Sequence, residues 1–189
     1  MANGKKIKIV GFGGSLRKGS YNHRILVAAK EAVPKGATYE IAEIYDLPLY
    51  NTDMEKSAYP KAASILKKKI NDADAILIAT PEHNFTMAAA VKNAMEWITR
   101  PYPDNPFNDK PVAIASASTG YFGGIKAQLA LRQSLVYLNA HALNDSLTVS
   151  YADKKFDARG RLTDKEAKEK LGSLLEGLVN LTKRLNGGR

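Results

Sequence analysis

The sequence predicts an α/β protein, a three-layer sandwich with helices on both faces of a five-stranded parallel sheet. Three observations predict it. Strand-like and helix-like segments alternate along the 189 residues, the order that builds a parallel sheet from right-handed crossovers. The stretch DAILIAT, Asp74 to Thr80, is apolar nearly throughout, as a strand covered on both faces must be. A glycine cluster, Gly11 to Gly14, follows the first strand at once and opens a helix.

The elements follow in order. KIKIVGF, Lys6 to Phe12, reads as the first strand. After the glycine loop, Ile25, Leu26, Ala29 and Val33 recur at helical spacing until Pro34 and Gly36 end the pattern. TYEIAEI, Thr38 to Ile44, is the second strand, and DLPLYN from Asp46 is a turn-rich connection. Pro60 suits the first turn of a helix carrying Ile65, Leu66 and Ile70. The third strand is Asp74 to Thr80, and the next helix is marked by Met87, Val91, Ala94, Met95 and Ile98 and stopped by Pro101. Pro111 to Ala117 is a fourth strand, Ile125 to Leu138 a helix, and Leu143 to Ser150 a fifth strand. The last helix shows Leu171, Leu174, Leu175, Leu178, Leu181 and Leu185 on one face, with Thr163 and Glu166 spaced as a capping box. The polar, basic loop from Tyr151 to Thr163 reads as flexible surface.

Size and composition bound the function. The chain is long enough for one substantial core and short for two, so residues 1–189 are expected to form a single domain. The apolar runs are far below membrane length, and no apolar segment of signal-peptide length precedes the first strand, so a cytoplasmic protein without a membrane partner is expected. There is no cysteine, which excludes thiol nucleophiles, disulfides and CxxC redox pairs. His23, His83 and His141 are scattered, which argues against a histidine metal centre. Redox chemistry would therefore need an organic cofactor. The net charge of +9 is spread over Lys5, Lys6 and Lys8, Lys67 to Lys69, the 154–161 loop and the last helix. Without a basic stripe interleaved with aromatics, that charge suits steering of an anionic small molecule better than nucleic-acid binding.

The loop GFGGSLRKGSYN, Gly11 to Asn22, nearly fits three signatures and fails each at a definite residue. A dinucleotide fingerprint needs a third glycine where Leu16 stands, and Glu43 is only a distant candidate for its acidic residue. A P-loop needs lysine where Ser20 stands. A nucleophile elbow needs glycine where Arg17 stands. What remains is a helix-opening loop with hydroxyls at Ser15 and Ser20, a guanidinium at Arg17 and an amide at Asn22. Backbone N–H groups at a helix start and one guanidinium fork suit a monophosphate. An ordinary glycine-rich turn with solvated polar residues is the alternative.

GSLRKGSYN, Gly14 to Asn22, resembles the phosphate loop of the NAD(P)H-dependent FMN reductases, in particular the bacterial quinone and chromate reductase branch. DLPLYNTDME (46–55), TPEHNFTMAAAVKNAMEWITRP (80–101) and SASTGYFGGIKAQLALRQSLVYLNA (116–140) resemble that family's later motifs in the same order. The resemblance implies a flavodoxin-like fold binding FMN non-covalently. It places Ser15, Arg17, Ser20 and Asn22 at the phosphate, and Pro81, Glu82, His83, Asn84 and Phe85 along the isoalloxazine. The 116–120 loop, with Ser116, Ser118 and Gly120, falls on the other side of the cofactor. It further implies a homodimer or homotetramer. The chain departs from the family pattern at His83, where an aromatic is commoner, and at Ala88-Ala89-Ala90, where glycine or proline is usual.

The resulting expectation is an oxidoreductase in which hydride passes from NAD(P)H to bound FMN and then, in ping-pong order, to a quinone or another small acceptor such as chromate or an azo compound. The flavin N5 carries the hydride, so no side chain is assigned a catalytic role. Arg100 is a candidate anion anchor for substrate, or else a cation closing a helix C-terminus. A non-enzymatic flavodoxin-like electron carrier is the competing reading, although such carriers are usually acidic.

Overall fold

The computed structural model describes residues 6–187, so Lys5 of the basic N-terminus lies outside the described residues. In chain order the elements are β1 (Ile7–Gly13), α1 (Tyr21–Ala29), β2 (Ala37–Ile41), α2 (Asp53–Ser57), α3 (Lys61–Asn71), β3 (Ala75–Ala79), β4 (Glu82–His83), β5 (Thr86–Met87), α4 (Ala89–Ile98), β6 (Pro111–Ala117), α5 (Ile125–Tyr137), β7 (His141–Val149) and α6 (Lys165–Gly187). Five strands form one parallel sheet in the order β2-β1-β3-β6-β7. β4 and β5 form a separate antiparallel hairpin.

Burial explains why the central strands carry no polar alternation. All five residues of β3 and all seven of β6 are buried. Successive side chains leave the sheet on opposite faces. In β1, Ile9 joins Ile25 and Leu26 of α1 and Leu171, Leu175 and Leu178 of α6, whereas Val10 and Phe12 join α3, α4 and α5 through Leu66, Ile70, Val91, Ile98 and Leu131. Each face therefore has its own apolar layer, which is the three-layer arrangement.

Several local readings change. The second strand ends at Ile41 rather than Ile44. The turn-rich connection holds the short helix α2, and Met87 belongs to β5, so α4 starts two residues later. α6 is capped by Asp164, whose Oδ1 accepts the Ala167 N–H at 2.9 Å. Thr163 instead donates its hydroxyl to Lys155 O, and Glu166 reaches forward to Lys170. The 151–163 loop is not loose surface: it contains a 3₁₀ turn at Ala152–Lys154 and a Phe156–Leu162 bridge, with Ala152, Phe156 and Leu162 buried in the core beside α1 and α6.

The order β2-β1-β3 makes β1 and β3 the point where successive crossovers leave in opposite directions. A crevice opens there beyond the carboxyl ends of the strands. Three segments border it: the loop after β1, the segment after β3, and the loop after β6.

Candidate functional site

The loop after β1 is fixed at both ends. Gly14 donates its N–H to Ala79 O at 3.0 Å, and Ser20 caps α1 by accepting the His23 N–H on its hydroxyl at 3.3 Å. Gly14 is required by close approach, because a Cβ there would lie 1.9 Å from Val91 Cγ2. Between these anchors the chain turns on itself, with Ser20 N–H to Arg17 O at 3.2 Å and Arg17 N–H to Ser15 Oγ at 3.4 Å. The amides of Ser15, Leu16, Lys18 and Gly19 have no acceptor among the described residues.

The second wall comes from the chain after β3. Thr80, wholly buried, accepts the Ala88 N–H and donates to Pro81 O, which pins both ends of the 81–88 segment. Within it, His83 pairs with Thr86 across a two-residue turn in which Asn84 and Phe85 both have positive φ, 49° and 65°. A tight hairpin of this kind needs positive φ at both central positions. The third wall is the loop after β6, tied back by Ser118 N–H to Val149 O at 3.1 Å.

These walls enclose a cleft of 510 Å³, within the range of ordinary ligand sites. Ser15, Arg17, Ser20, Asn22, Pro81, Glu82, His83 and Ser118 line it. Ala88 to Ala90, the stretch that departs from the family pattern, line it too, as do Leu16, Tyr21 and Thr119, which nothing in their side chains marks in the sequence beyond adjacency to the motifs.

Other expected residues have different surroundings. Asn22 is buried, and its side chain is occupied: Nδ2 donates to Ala117 O and Oδ1 accepts the Ala117 N–H, both at 2.9 Å. It is a staple between α1 and the end of β6, and one Nδ2 N–H remains beyond the bond to Ala117 O. Ser116 is likewise turned inward, donating to Gly123 O and accepting from Gln128. Asn84, Phe85 and Gly120 lie outside the lining of the cleft. Arg100 is not brought to the site. It follows α4, whose first turn borders the cleft, so ten helical residues, about 15 Å, separate the two. Its guanidinium lies over the Tyr50 ring, 3.9 Å from Glu55, and donates to Thr99 O at 3.2 Å.

Charge is distributed unevenly. Lys8 and Lys69 share Glu40, Lys68 pairs with Asp72, and Lys67 with Asp104. Shared between two ammonium groups, the Glu40 carboxyl is held below the usual carboxylate range, chiefly by Lys8. By contrast Arg17, Lys18 and Arg24 at the β1 loop enter no ion pair among the described residues, and Arg17 and Arg24 lie 5.9 and 5.3 Å from the Tyr21 ring centroid. Free amides, a helix start and uncompensated guanidinium charge make this end of the cleft suited to a doubly charged phosphate. That donor set fits the phosphate of FMN.

The comparisons with known proteins agree with the geometry. A family model for NADPH-dependent FMN reductase matches residues 7–154. The chain belongs to that family. It is 46% identical over 182 residues to an NAD(P)H-dependent FMN reductase of Pseudomonas aeruginosa, covering 96% of this chain and 98% of that one. It is 42% identical to an NADPH:quinone oxidoreductase of Arabidopsis thaliana, covering 96% and 94%. Among solved structures it is similar to FerB, a flavoenzyme NAD(P)H:(acceptor) oxidoreductase of Paracoccus denitrificans, with a TM-score of 0.82 at 29% identity over 94% of this chain and 98% of that one. The protein is thus a flavodoxin-like, FMN-using, NAD(P)H-dependent oxidoreductase, and not a carrier without enzymatic activity. Among the described residues no helix is long and apolar enough to cross a membrane.

Proposed function

We propose that the protein reduces quinones at the expense of NAD(P)H, with FMN held in the cleft between the β1 loop, the 81–88 segment and the loop after β6. The observation that carries this reading is the β1 loop: four partnerless amides, a helix start and an unpaired Arg17 converge at the switch point of a sheet whose family uses FMN. When bound there, FMN would supply the two-electron hydride chemistry between NAD(P)H and the acceptor. Arg17, Ser15 and Ser20 bind the phosphate. Pro81, Glu82 and His83 support one side of the ring through their backbone, and Ser118 and Thr119 border the other.

Donor and acceptor use the cleft in turn, in a ping-pong order. His83 is exposed and its imidazole has no hydrogen-bond partner among the described residues; it is assigned no proton transfer. Quinones are the favoured acceptors because the full-length relatives carry that activity in their names. Chromate and azo compounds belong to the same reading as further two-electron acceptors, and a cytoplasmic location follows from the need for NAD(P)H. A homodimer or homotetramer is supported by the outer face of α5, where Leu129, Val136 and Tyr137 are exposed.

The test is an absorbance spectrum of FMN-reconstituted protein under anaerobic conditions. Flavin bands are expected to bleach on NAD(P)H addition and to return with benzoquinone. Bound flavin that neither NADPH nor NADH bleaches would refute the reading.

A further inference from the structure

We propose that Glu82 is the latch that joins the two walls of the cleft, by capping α5 across the gap between them. α5 has no cap of its own. Its N-cap position is Gly124, at φ 95°, where a Cβ would lie 2.8 Å from Ser116 Cβ and 3.0 Å from Ser116 Oγ. Neither the backbone conformation nor the space admits the Ser, Thr, Asp or Asn that would ordinarily satisfy the first-turn amides.

The missing acceptor is supplied by another element. Glu82 Oε2 accepts the Lys126 N–H at 3.0 Å, a charge-assisted bond at the positive end of the helix dipole. The tie is reciprocal. The Lys126 ammonium lies 3.2 Å from the Phe85 ring centroid and 5.3 Å from that of Phe122. Residue 126 thus binds Glu82 through its backbone and Phe85 through its side chain, so both residues of the hairpin arm grip one turn of α5.

Phe85 is itself held in the left-handed region, at φ 65°, which bulky residues disfavour. The contact with Lys126 opposes its release. On the far side, α5 is bound to the end of β6, where Gln128 Nε2 donates to Ser116 Oγ at 2.7 Å and Ser116 in turn donates to Gly123 O in the loop after β6 at 2.7 Å. Glu82 and His83 line one side of the cleft and Ala117 to Thr119 the other. The carboxylate, held by the Lys126 N–H, therefore sets the width of the gap, which leaves the Glu82 backbone for the ring.

The consequence for flavin binding rests on the cofactor reading above; the latch itself does not. Two readouts separate them, amide hydrogen exchange over residues 123–128 of the FMN-free protein and the FMN dissociation constant from flavin fluorescence quenching. Glu82→Ala is expected to speed exchange at the Lys126 amide and to weaken FMN binding, each by about tenfold, the size of a lost cap. Glu82→Gln keeps a neutral acceptor and is expected to recover part of both. Unchanged Lys126 exchange in Glu82→Ala would overturn the latch, and faster exchange with an unaltered FMN constant would overturn its control of the cleft. Should the parent protein bind no FMN, the cofactor reading falls, and the exchange result alone decides whether Glu82 holds the walls together.

Discussion

Replacing Asn22 with alanine separates two roles that the same residue could play in a phosphate loop. Asn22 and Ala117 are each only 3% exposed, and they exchange two hydrogen bonds of 2.9 Å. Removing the carboxamide leaves a buried N–H and a buried C=O that water does not reach. A buried polar group without a partner costs about 1–3 kcal/mol, so the pair together is expected to cost on the order of 2–5 kcal/mol. For a domain of this length each kcal/mol lowers the melting temperature by about 2–4 °C, which predicts a fall of roughly 5–15 °C.

The decisive assay is thermal unfolding of the FMN-free protein. A phosphate ligand would be silent there and would appear only as weaker FMN binding. A staple between α1 and β6 destabilises the protein whether or not flavin is present. An Asn22→Ala variant that melts within 2 °C of the parent without FMN, yet binds FMN much more weakly, would refute the assignment of Asn22 as a staple. Asn22→Asp sharpens the comparison, because a carboxylate still accepts the Ala117 N–H but cannot donate to Ala117 O.

Arg17→Ala should give the opposite signature: Arg17 is exposed and unpaired, so the melting temperature without FMN is expected to be unchanged while the FMN dissociation constant rises about ten- to a hundredfold, the loss of charge-assisted bonds to phosphate. Retention of stoichiometric FMN by that variant would place the phosphate elsewhere. Gly14→Ala forces a Cβ to 1.9 Å from Val91 Cγ2 and is expected to cost about 1–3 kcal/mol, most of it regained in the Gly14→Ala, Val91→Ala double variant; additive losses in a double-mutant cycle would refute the contact. Asp164 has its carboxyl held below the usual range, first by the Ala167 N–H and then by Lys155. Because its pKa is lower folded than unfolded, its contribution is complete above an unfolded value of about 4 and is lost as pH falls through the folded one. Asp164→Ala is therefore expected to cost about 1 kcal/mol at neutral pH and less as the pH falls below the unfolded value, read from urea melts at both ends.

The fold was legible because its signals are additive and local. An apolar run such as Ala75 to Ala79 cannot sit on a solvated sheet, and the leucine stripe of α6 has only one way to be buried. Boundaries were less legible where two neighbours compete for one job. Thr163 reads as the cap, yet Asp164 holds the helix because Thr163 is bonded to Lys155 O. Tyr151 to Thr163 reads as surface by composition, yet Ala152, Phe156 and Leu162 bury themselves against α1 and α6. Three apolar residues in a basic loop form no period, and period is what sequence reasoning detects.

The site shows the same limit in a sharper form. The motifs point to three segments that the fold brings around one cleft, because glycine spacing and a polar run after an apolar strand dictate backbone shape. They do not say what each polar side chain does, since that depends on which backbone groups the fold leaves without partners. β6 ends with an Ala117 N–H and C=O facing α1, and Asn22 is the side chain within reach, so both ends of its carboxamide are engaged by the backbone. α5 begins at a glycine that cannot cap, and the Glu82 carboxylate is taken from the cleft. Arg17 stays available to an anion for the converse reason, that no carboxylate or bare carbonyl among the described residues has claimed it. In this family member the polar residues of the motifs thus divide according to the backbone vacancies around them, and the ones left over are those expected to meet the cofactor.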